Sequence, residues 1–321
     1  MTVLVTGAAG FIGMHTATRL LERGDAVVGI DNLNDYYDVA LKEARLARLQ
    51  KYDNFRFVRG DIADPAALAD AGRDADRIIH LAAQAGVRYS ITNPSVYIQT
   101  NLVGHFNVLE LGRAMGDRLK MLVYASSSSV YGGNTKLPFA IEDPVDRPVS
   151  LYAATKKSDE LISYSYSHIF RMPQTGLRFF TVYGPWGRPD MAAYIFLTKI
   201  IAGEPIPVFN NGDMARDFTF VEDIVTGVVA ALDRKVDPAE LHKVYNIGNH
   251  RSEPLMRFIG LIEQAIGKKA EIDFQPMQPG DVKASYADIE ATRRDLGYEP
   301  TTPIDVGLPR FVEWYREYHG V

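Results

Sequence analysis

Apolar positions along this chain follow two rhythms. Short runs at 3–6, 26–30, 55–59, 77–81, 121–125, 174–180 and 243–247 have the length of strands. Between them lie segments with helical spacing: 14–23, a stretch inside 32–52 that carries Leu41, Ala44, Arg45, Leu46 and Arg48, then about 94–116, 152–170 and 221–233. Strand and helix alternate, which predicts an α/β fold: a doubly wound, mostly parallel sheet with helices on both faces. Beyond residue 180 the rhythm loosens, and Pro185, Gly187, Pro189, Gly203, Pro205, Pro207 and Gly212 break the chain into short pieces. The expected organisation is a nucleotide-binding domain over 1–180, with returning segments at about 218–248 and the C-terminal helix. A smaller interleaved α/β cap would take 181–217 and 249–305. Trp314, Tyr315 and Tyr318 read as the face by which the last helix docks. No internal repeat or low-complexity tract interrupts this plan.

Composition narrows the classes. A hydrophobic share of 46% over 321 residues allows a sizeable core. The net charge of −5 and the lack of a basic stripe argue against nucleic acid as a partner. Cysteine is absent, so there is no disulfide framework, thiolate metal site or cysteine nucleophile. None of the seven histidines has the paired spacing of metal ligands, and no metal is expected. No window reaches the roughly 18 apolar residues of a membrane helix. The first residues lack the pattern of a signal peptide. A soluble, cytoplasmic protein is expected.

The first strand runs into Gly7-Ala-Ala-Gly10-Phe11-Ile12-Gly13, and a helix follows. Glycines let a backbone approach a pyrophosphate, and a helix N-terminus attracts its charge. The spacing is G-x-x-G-x-x-G and differs from the commoner dinucleotide fingerprint. Asp31 ends the second strand, 18 residues after Gly13. A carboxylate there accepts the ribose hydroxyls of NAD and repels the phosphate of NADP. Asn32 adjoins it. Asp61, followed by Ile62, ends a third strand, in reach of an adenine amine. Leu81, Ala82 and Ala83 end a fourth, and cofactors bind at such strand ends.

Tyr152 and Lys156 stand four residues apart, hence on one face of a helix. A tyrosine with an unperturbed pKa of about 10 is a poor base at neutral pH, and a neighbouring cation favours its phenolate. The run Ser126-Ser127-Ser128-Ser129 upstream supplies hydroxyls that bind a sugar oxygen. Such a trio suits the removal of an alcohol proton while a hydride leaves for a nicotinamide.

These residues, together with His80-Leu-Ala-Ala83, Asn101, Val130-Tyr131-Gly132 and Arg216-Asp-Phe218, make the chain resemble the extended short-chain dehydrogenase/reductases over nearly its whole length. Within that family it is most similar to the nucleotide-sugar epimerases that act on UDP-glucuronate. The distinguishing stretches are Asp31-Asn-Leu-Asn-Asp-Tyr-Tyr-Asp38, Ser126-Ser-Ser-Ser-Val-Tyr-Gly132 and 177–190. The resemblance implies bound NAD, Tyr152 as the base at the C4 hydroxyl, Lys156 on the nicotinamide ribose and Ser127 as the catalytic hydroxyl. The implied reaction is the reversible 4-epimerisation of UDP-glucuronate to UDP-galacturonate through a UDP-4-keto-hexuronate. A homodimer through helices 94–116 and 152–170 is also implied.

Related 4,6-dehydratases and sugar decarboxylases carry an acidic residue just before Val-Tyr-Gly. Here the stretch is Ser127-Ser128-Ser129, which leaves no second acid/base for elimination. Ser128 and Ser129 instead suit an anionic sugar as hydrogen-bond donors, or else satisfy strand-end backbone groups. Thr181 occupies a place where neutral-sugar epimerases have Asn, and its smaller side chain leaves room for a carboxylate. The alternatives are a 4-epimerase of UDP-glucose or UDP-N-acetylglucosamine and a non-catalytic NAD sensor. At the nucleotide end Arg216 matches a pyrophosphate ligand, unless it pairs with Asp217 or Asp213. Val208 and Phe209 lie where relatives hold uracil. Arg88 and Arg188 are substrate contacts or structural. Tyr36 and Tyr37 read as loop packing. Where many relatives read Arg-Pro-Gly-Asp, this chain has Gln278-Pro-Gly-Asp281. One cation is thereby lost, and Asp281 is left to meet a ribose or order the loop.

Overall fold

The computed structural model describes residues 1–278 and 281–321. Seven strands form one sheet in the spatial order Phe55–Arg59, Ala26–Asp31, Thr2–Thr6, Arg77–His80, Met121–Ser127, Gln174–Phe179, His242–Ile247. Every neighbouring pair is parallel. The expected doubly wound sheet is therefore present. The chain winds outward in one direction from Thr2–Thr6 and then in the other from Arg77–His80. Between these two strands the order reverses, and a crevice opens at their carboxyl ends. The central strands are buried along nearly their whole length, because helices cover both faces.

Helix Phe11–Glu22 starts three residues before the expected Met14. Gly10 serves as its N-cap, so the glycine turn and the first helical turn are one continuous feature. Within 32–52 the helix is Val39–Leu49, where the Asp38 carboxylate accepts the Ala40 N–H at 2.9 Å. The expected helix over 94–116 is three pieces: Pro94–Tyr97, a π-helical stretch Ile98–Gly104, and His105–Met115. Asn101 sits in the widened turn. Its side chain bonds both main-chain groups of Gln84 (2.8 and 3.1 Å) and the Thr155 hydroxyl (3.0 Å). One amide thus ties the loop after the fourth strand to the helix Leu151–Phe170.

After Phe179 the chain leaves the sheet. Thr181–Tyr183 pairs in parallel with Phe218–Phe220, and Ile206–Phe209 with Ile272–Gln275. Helices Ala192–Ala202 and Leu255–Ile266 share one apolar cluster with these short strands. The last helix, Ile304–His319, buries Leu308, Phe311, Val312 and Trp314 in the same apolar cluster as Phe196, Leu197, Phe258 and Ile259. Its apolar stripe fits that of Leu255–Ile266, so its packing is chiefly with that helix and not with the seven-stranded sheet.

Candidate active site

The glycine turn is set by close approach. Gly7 has φ +70°, and a Cβ there would lie 2.8 Å from the Ala82 nitrogen. A Cβ on Gly13 would lie 2.0 Å from the Gly7 oxygen, so only glycine closes the turn. Among the described residues no side chain caps the first N–H groups of helix Phe11–Glu22, and Gly10, Phe11, Ile12 and Gly13 line the cavity above it. Such a cradle fits a pyrophosphate. Asp31 accepts the N–H groups of Ala9 (3.1 Å) and Leu33 (2.9 Å). Burial pushes its carboxyl up, opposed by the Leu33 N–H and by the Lys42 charge. Asp61 accepts the Ala63 N–H at 2.8 Å and the Asn32 amide at 2.9 Å, which fixes both side chains at the cavity edge.

One cavity of about 970 Å³ runs from this turn to Pro207, Phe209 and Arg216. Ile62, Leu81, Ala82, Ala83, Ser127, Ser128, Ser129, Tyr152, Lys156 and Thr181 all line it. The volume suits a dinucleotide and a nucleotide sugar together. Ser150 caps helix Leu151–Phe170 by accepting the Ala153 N–H at 3.1 Å, and so sets Tyr152 in the first turn. Lys156 donates to the Ala125 carbonyl (2.9 Å) and to Asp159 (3.2 Å). Ser127 ends the fifth strand, and its oxygen accepts from the Ser129 N–H (3.2 Å) and hydroxyl (2.9 Å). Behind it Ser126 donates to Glu160 at 2.7 Å, and Arg178 binds both oxygens of Glu160 at 2.8 and 2.9 Å. A buried ion pair therefore pins the serine run to the helix that carries Tyr152.

The far end comes from segments beyond residue 180, with Arg88 and its neighbours. Phe209 and Pro207 face the cavity, but the Val208 side chain is fully buried in the apolar cluster. The expectation for Val208 is corrected by strand alternation: in Ile206–Phe209 only every second side chain can face the ligand. The Arg88 guanidinium stacks 4.3 Å from the Phe209 ring centre and pairs with Asp281 at 2.9 Å. Arg216 donates to the carbonyls of Ala215 and Lys283 and lines the cavity. It pairs with neither aspartate, since Asp213 bonds Lys283 and Asp217 is buried under the N–H groups of Asn249 and Ala287. Arg188 binds Asp190 (2.6 and 3.0 Å), which also accepts the Tyr36 hydroxyl at 3.0 Å. Pro279 and Gly280 of the Gln278-Pro-Gly-Asp281 sequence lie outside the described residues.

Sequence reasoning passed over Tyr36, Tyr37, Lys42, Ser150 and Asp190 as lining residues. The paired tyrosines hung on the stretch Asp31–Asp38 were the one available signal. Asp190 and Ser150 become neighbours of the site only through long-range folding.

Fold and cavity define a dinucleotide-dependent enzyme of the Rossmann type. A family model described as GDP-mannose 4,6 dehydratase matches residues 4–311. The chain belongs to that family, within the extended short-chain dehydrogenase/reductases. It is 46% identical to a probable UDP-glucuronate 4-epimerase of Rhizobium meliloti, covering 98% of this chain and 97% of that protein. It is 47% identical to UDP-glucuronate 4-epimerase 4 of Arabidopsis thaliana, over 100% of this chain and 76% of that one. Among solved structures, UDP-glucuronic acid 4-epimerase from Bacillus cereus, in complex with UDP-glucuronic acid and NAD, superposes with a TM-score of 0.92. That structure shares 34% identity, with 99% of this chain and 100% of that chain covered.

Proposed function

We propose that this protein catalyses the reversible 4-epimerisation of UDP-glucuronate to UDP-galacturonate with NAD as a retained cofactor. The observation that carries this reading is the all-hydroxyl wall Ser127, Ser128, Ser129 and Thr181 in the same cavity as Tyr152 and Lys156. An acid in that wall would serve elimination and would repel a C5 carboxylate. Hydroxyls donate to the carboxylate instead.

The glycine turn Gly7–Gly13 would hold the pyrophosphate of NAD, and Asp31 its adenosine ribose, with Asp61 toward the adenine. When bound, NAD supplies a hydride acceptor at C4 and gives the hydride back. Tyr152 takes the C4 hydroxyl proton as the C4–H bond breaks, leaving a 4-keto sugar. Ser127 donates a hydrogen bond to that oxygen, and Lys156 brings a positive charge to the same cavity. Tyr152 returns the proton after the sugar has turned its other face. Arg216, Arg88 and Phe209 hold the uridine diphosphate, and Arg188 faces the sugar end of the cavity. A glucuronate oxidised at C4 is a β-keto acid, so donors that fix its carboxylate also restrain loss of carbon dioxide.

The test is purified protein with UDP-glucuronate, followed by NMR or chromatography. Conversion to UDP-galacturonate, abolished by Tyr152→Phe, is the expected result. Turnover of UDP-glucose or UDP-N-acetylglucosamine with none of the acid would transfer the assignment to a neutral sugar. No turnover of any nucleotide sugar would leave a cofactor-binding sensor.

Two lobes form part of the same proposal: a sheet domain for the cofactor and a cap for the nucleotide sugar. A homodimer is supported by exposed Ile98, Phe106, Leu161, Tyr164, Ile169 and Phe170 on the two long helical segments. Cytoplasmic placement accords with a cysteine-free chain and with the absence, among the described residues, of a helix long and apolar enough to cross a membrane.

A further inference from the structure

Helix Leu151–Phe170 carries a buried acid that no step above uses. Tyr152, Lys156 and Asp159 stand at i, i+4 and i+7, on one stripe of the helix. The Asp159 side chain is fully buried and does not line the cavity. Its Oδ2 accepts from Lys156 Nζ at 3.2 Å, and its Oδ1 has no partner among the described residues. Burial pushes its carboxyl up to about 7, while the Lys156 charge pulls it back. No other cation pairs with it among the described residues. The adjacent Glu160 is taken by Arg178, Lys157 and Ser126. His105, packed nearby, is held neutral by burial first and by Lys156 second, at about 3.

An ammonium has three N–H groups. In Lys156 one goes to the Ala125 carbonyl at 2.9 Å and one to Asp159. Both acceptors belong to the protein interior, one at a strand end and one a turn further along the helix. The remaining N–H is the one left for the cavity that Lys156 lines. A lysine is a flexible four-carbon stem, so fixing its head from behind removes freedom that would otherwise be lost on binding.

From this geometry we infer that Asp159 is a positioning residue of the reaction, aiming the Lys156 ammonium at the cofactor ribose and the Tyr152 hydroxyl. It touches neither substrate nor cofactor and acts through Lys156. The inference rests on the epimerase reading for its turnover assay but not for its binding assay.

The experiment compares Asp159→Leu, which is close in size and removes the acceptor, with Asp159→Asn, which keeps an acceptor. Two quantities are read: the fraction of NAD retained on the purified, folded protein, and kcat and KM with UDP-glucuronate. Asp159→Leu is expected to lower kcat about 100-fold with KM within about 3-fold, as for a misplaced catalytic group. It should also shed NAD, as Lys156→Ala should, while Asp159→Asn stays within about 3-fold of wild type in both readouts. In a Lys156→Ala background, Asp159→Leu should cost nothing further, because the two act as a unit. Should the leucine variant not fold, Asp159→Ala carries the same comparison. Wild-type retention of NAD in the leucine variant, or a loss that multiplies with that of Lys156→Ala, overturns the inference. Failure of the wild type to turn over UDP-glucuronate would sink the epimerase reading alone, and NAD retention would still decide the role of Asp159.

Discussion

Replacing Arg178 with methionine should destabilise the protein by about 3 kcal/mol, with a cost that fades in acid. The Arg178 and Glu160 side chains are only 4% and 3% exposed. Methionine matches the stem of arginine in bulk but leaves Glu160 with Ser126 and the half-buried Lys157 as partners. Removing one member of a buried pair typically costs about 3–5 kcal/mol, because the other charge stays behind in low dielectric. The remaining donors place this case near the lower end. An unfolding entropy of about 2.1 cal/mol/K per residue, over this chain length, turns about 3 kcal/mol into a drop of about 4–5 °C in Tm. Burial pushes the Glu160 carboxyl up, but the Arg178 hydrogen bonds and charge, with Ser126 behind them, hold it below the usual glutamate range. A depressed folded value means the stabilisation is complete above the unfolded glutamate pKa of about 4.3 and is lost as pH falls through the folded value. Thermal unfolding followed by circular dichroism at pH 7 and at about pH 3.5 checks both parts. Adding Glu160→Leu should recover most of the loss, since no charge is then stranded. A single variant within about 1 kcal/mol of wild type at pH 7, or a gap as wide in acid as at neutrality, would refute the reasoning.

Gly13→Ala puts a methyl group 2.0 Å from the Gly7 oxygen, so the turn must open; the variant should lose retained NAD, read by absorbance of the purified protein, and full retention would contradict the cradle. Thr181→Val and Ser128→Ala should release UDP-pentose beside the epimer, detectable by mass spectrometry. If they slow without any decarboxylated product, the wall does not restrain the carboxylate. Leu161→Glu places a charge on a side chain that is 60% exposed on the catalytic helix; light scattering should show a dimer become a monomer, and an unchanged mass would exclude that face as the interface.

The main sheet was legible because its strands are short and mostly apolar, with the central ones buried nearly throughout and turn residues marking their ends. The glycine turn, Asp31, Asp61, Tyr152 and Lys156 could be placed because each sits at a strand end or a helix start, where sequence position fixes location in a doubly wound sheet. Val208 was misplaced because the segment 206–209 was read by likeness and not by its period of two. Applied to Ile206–Phe209, that period would have kept Phe209 and dropped Val208. Arg45 shows the opposite limit. Its helical spacing was visible, but the full burial of its charge was not. The guanidinium is spent on the carbonyls of Ala9, Trp186 and Gly187 and on the Tyr37 hydroxyl, groups that folding alone brings together.

Helix Leu151–Phe170 explains why a hydrophobic pattern alone could not orient the site. Its buried face is mostly polar: Thr155, Lys156, Glu160, Ser163 and Ser167 each bond a group outside the helix, and Asp159 bonds Lys156 within it. Its exposed face holds Leu161, Tyr164, Ile169 and Phe170. For an ordinary surface helix the apolar stripe faces the core, and that rule would turn this helix around and point Lys156 at solvent. The inversion has a physical reason. The inner face must meet strand ends, the buried Arg178 guanidinium and the cofactor cavity, all of which demand hydrogen bonds. The outer face is left apolar, and a second copy of the chain is the occupant that the proposed dimer supplies. A charge at Leu161 should therefore disturb assembly before chemistry, whereas a change at Asp159 should disturb chemistry before assembly. The two faces of one helix separate those effects.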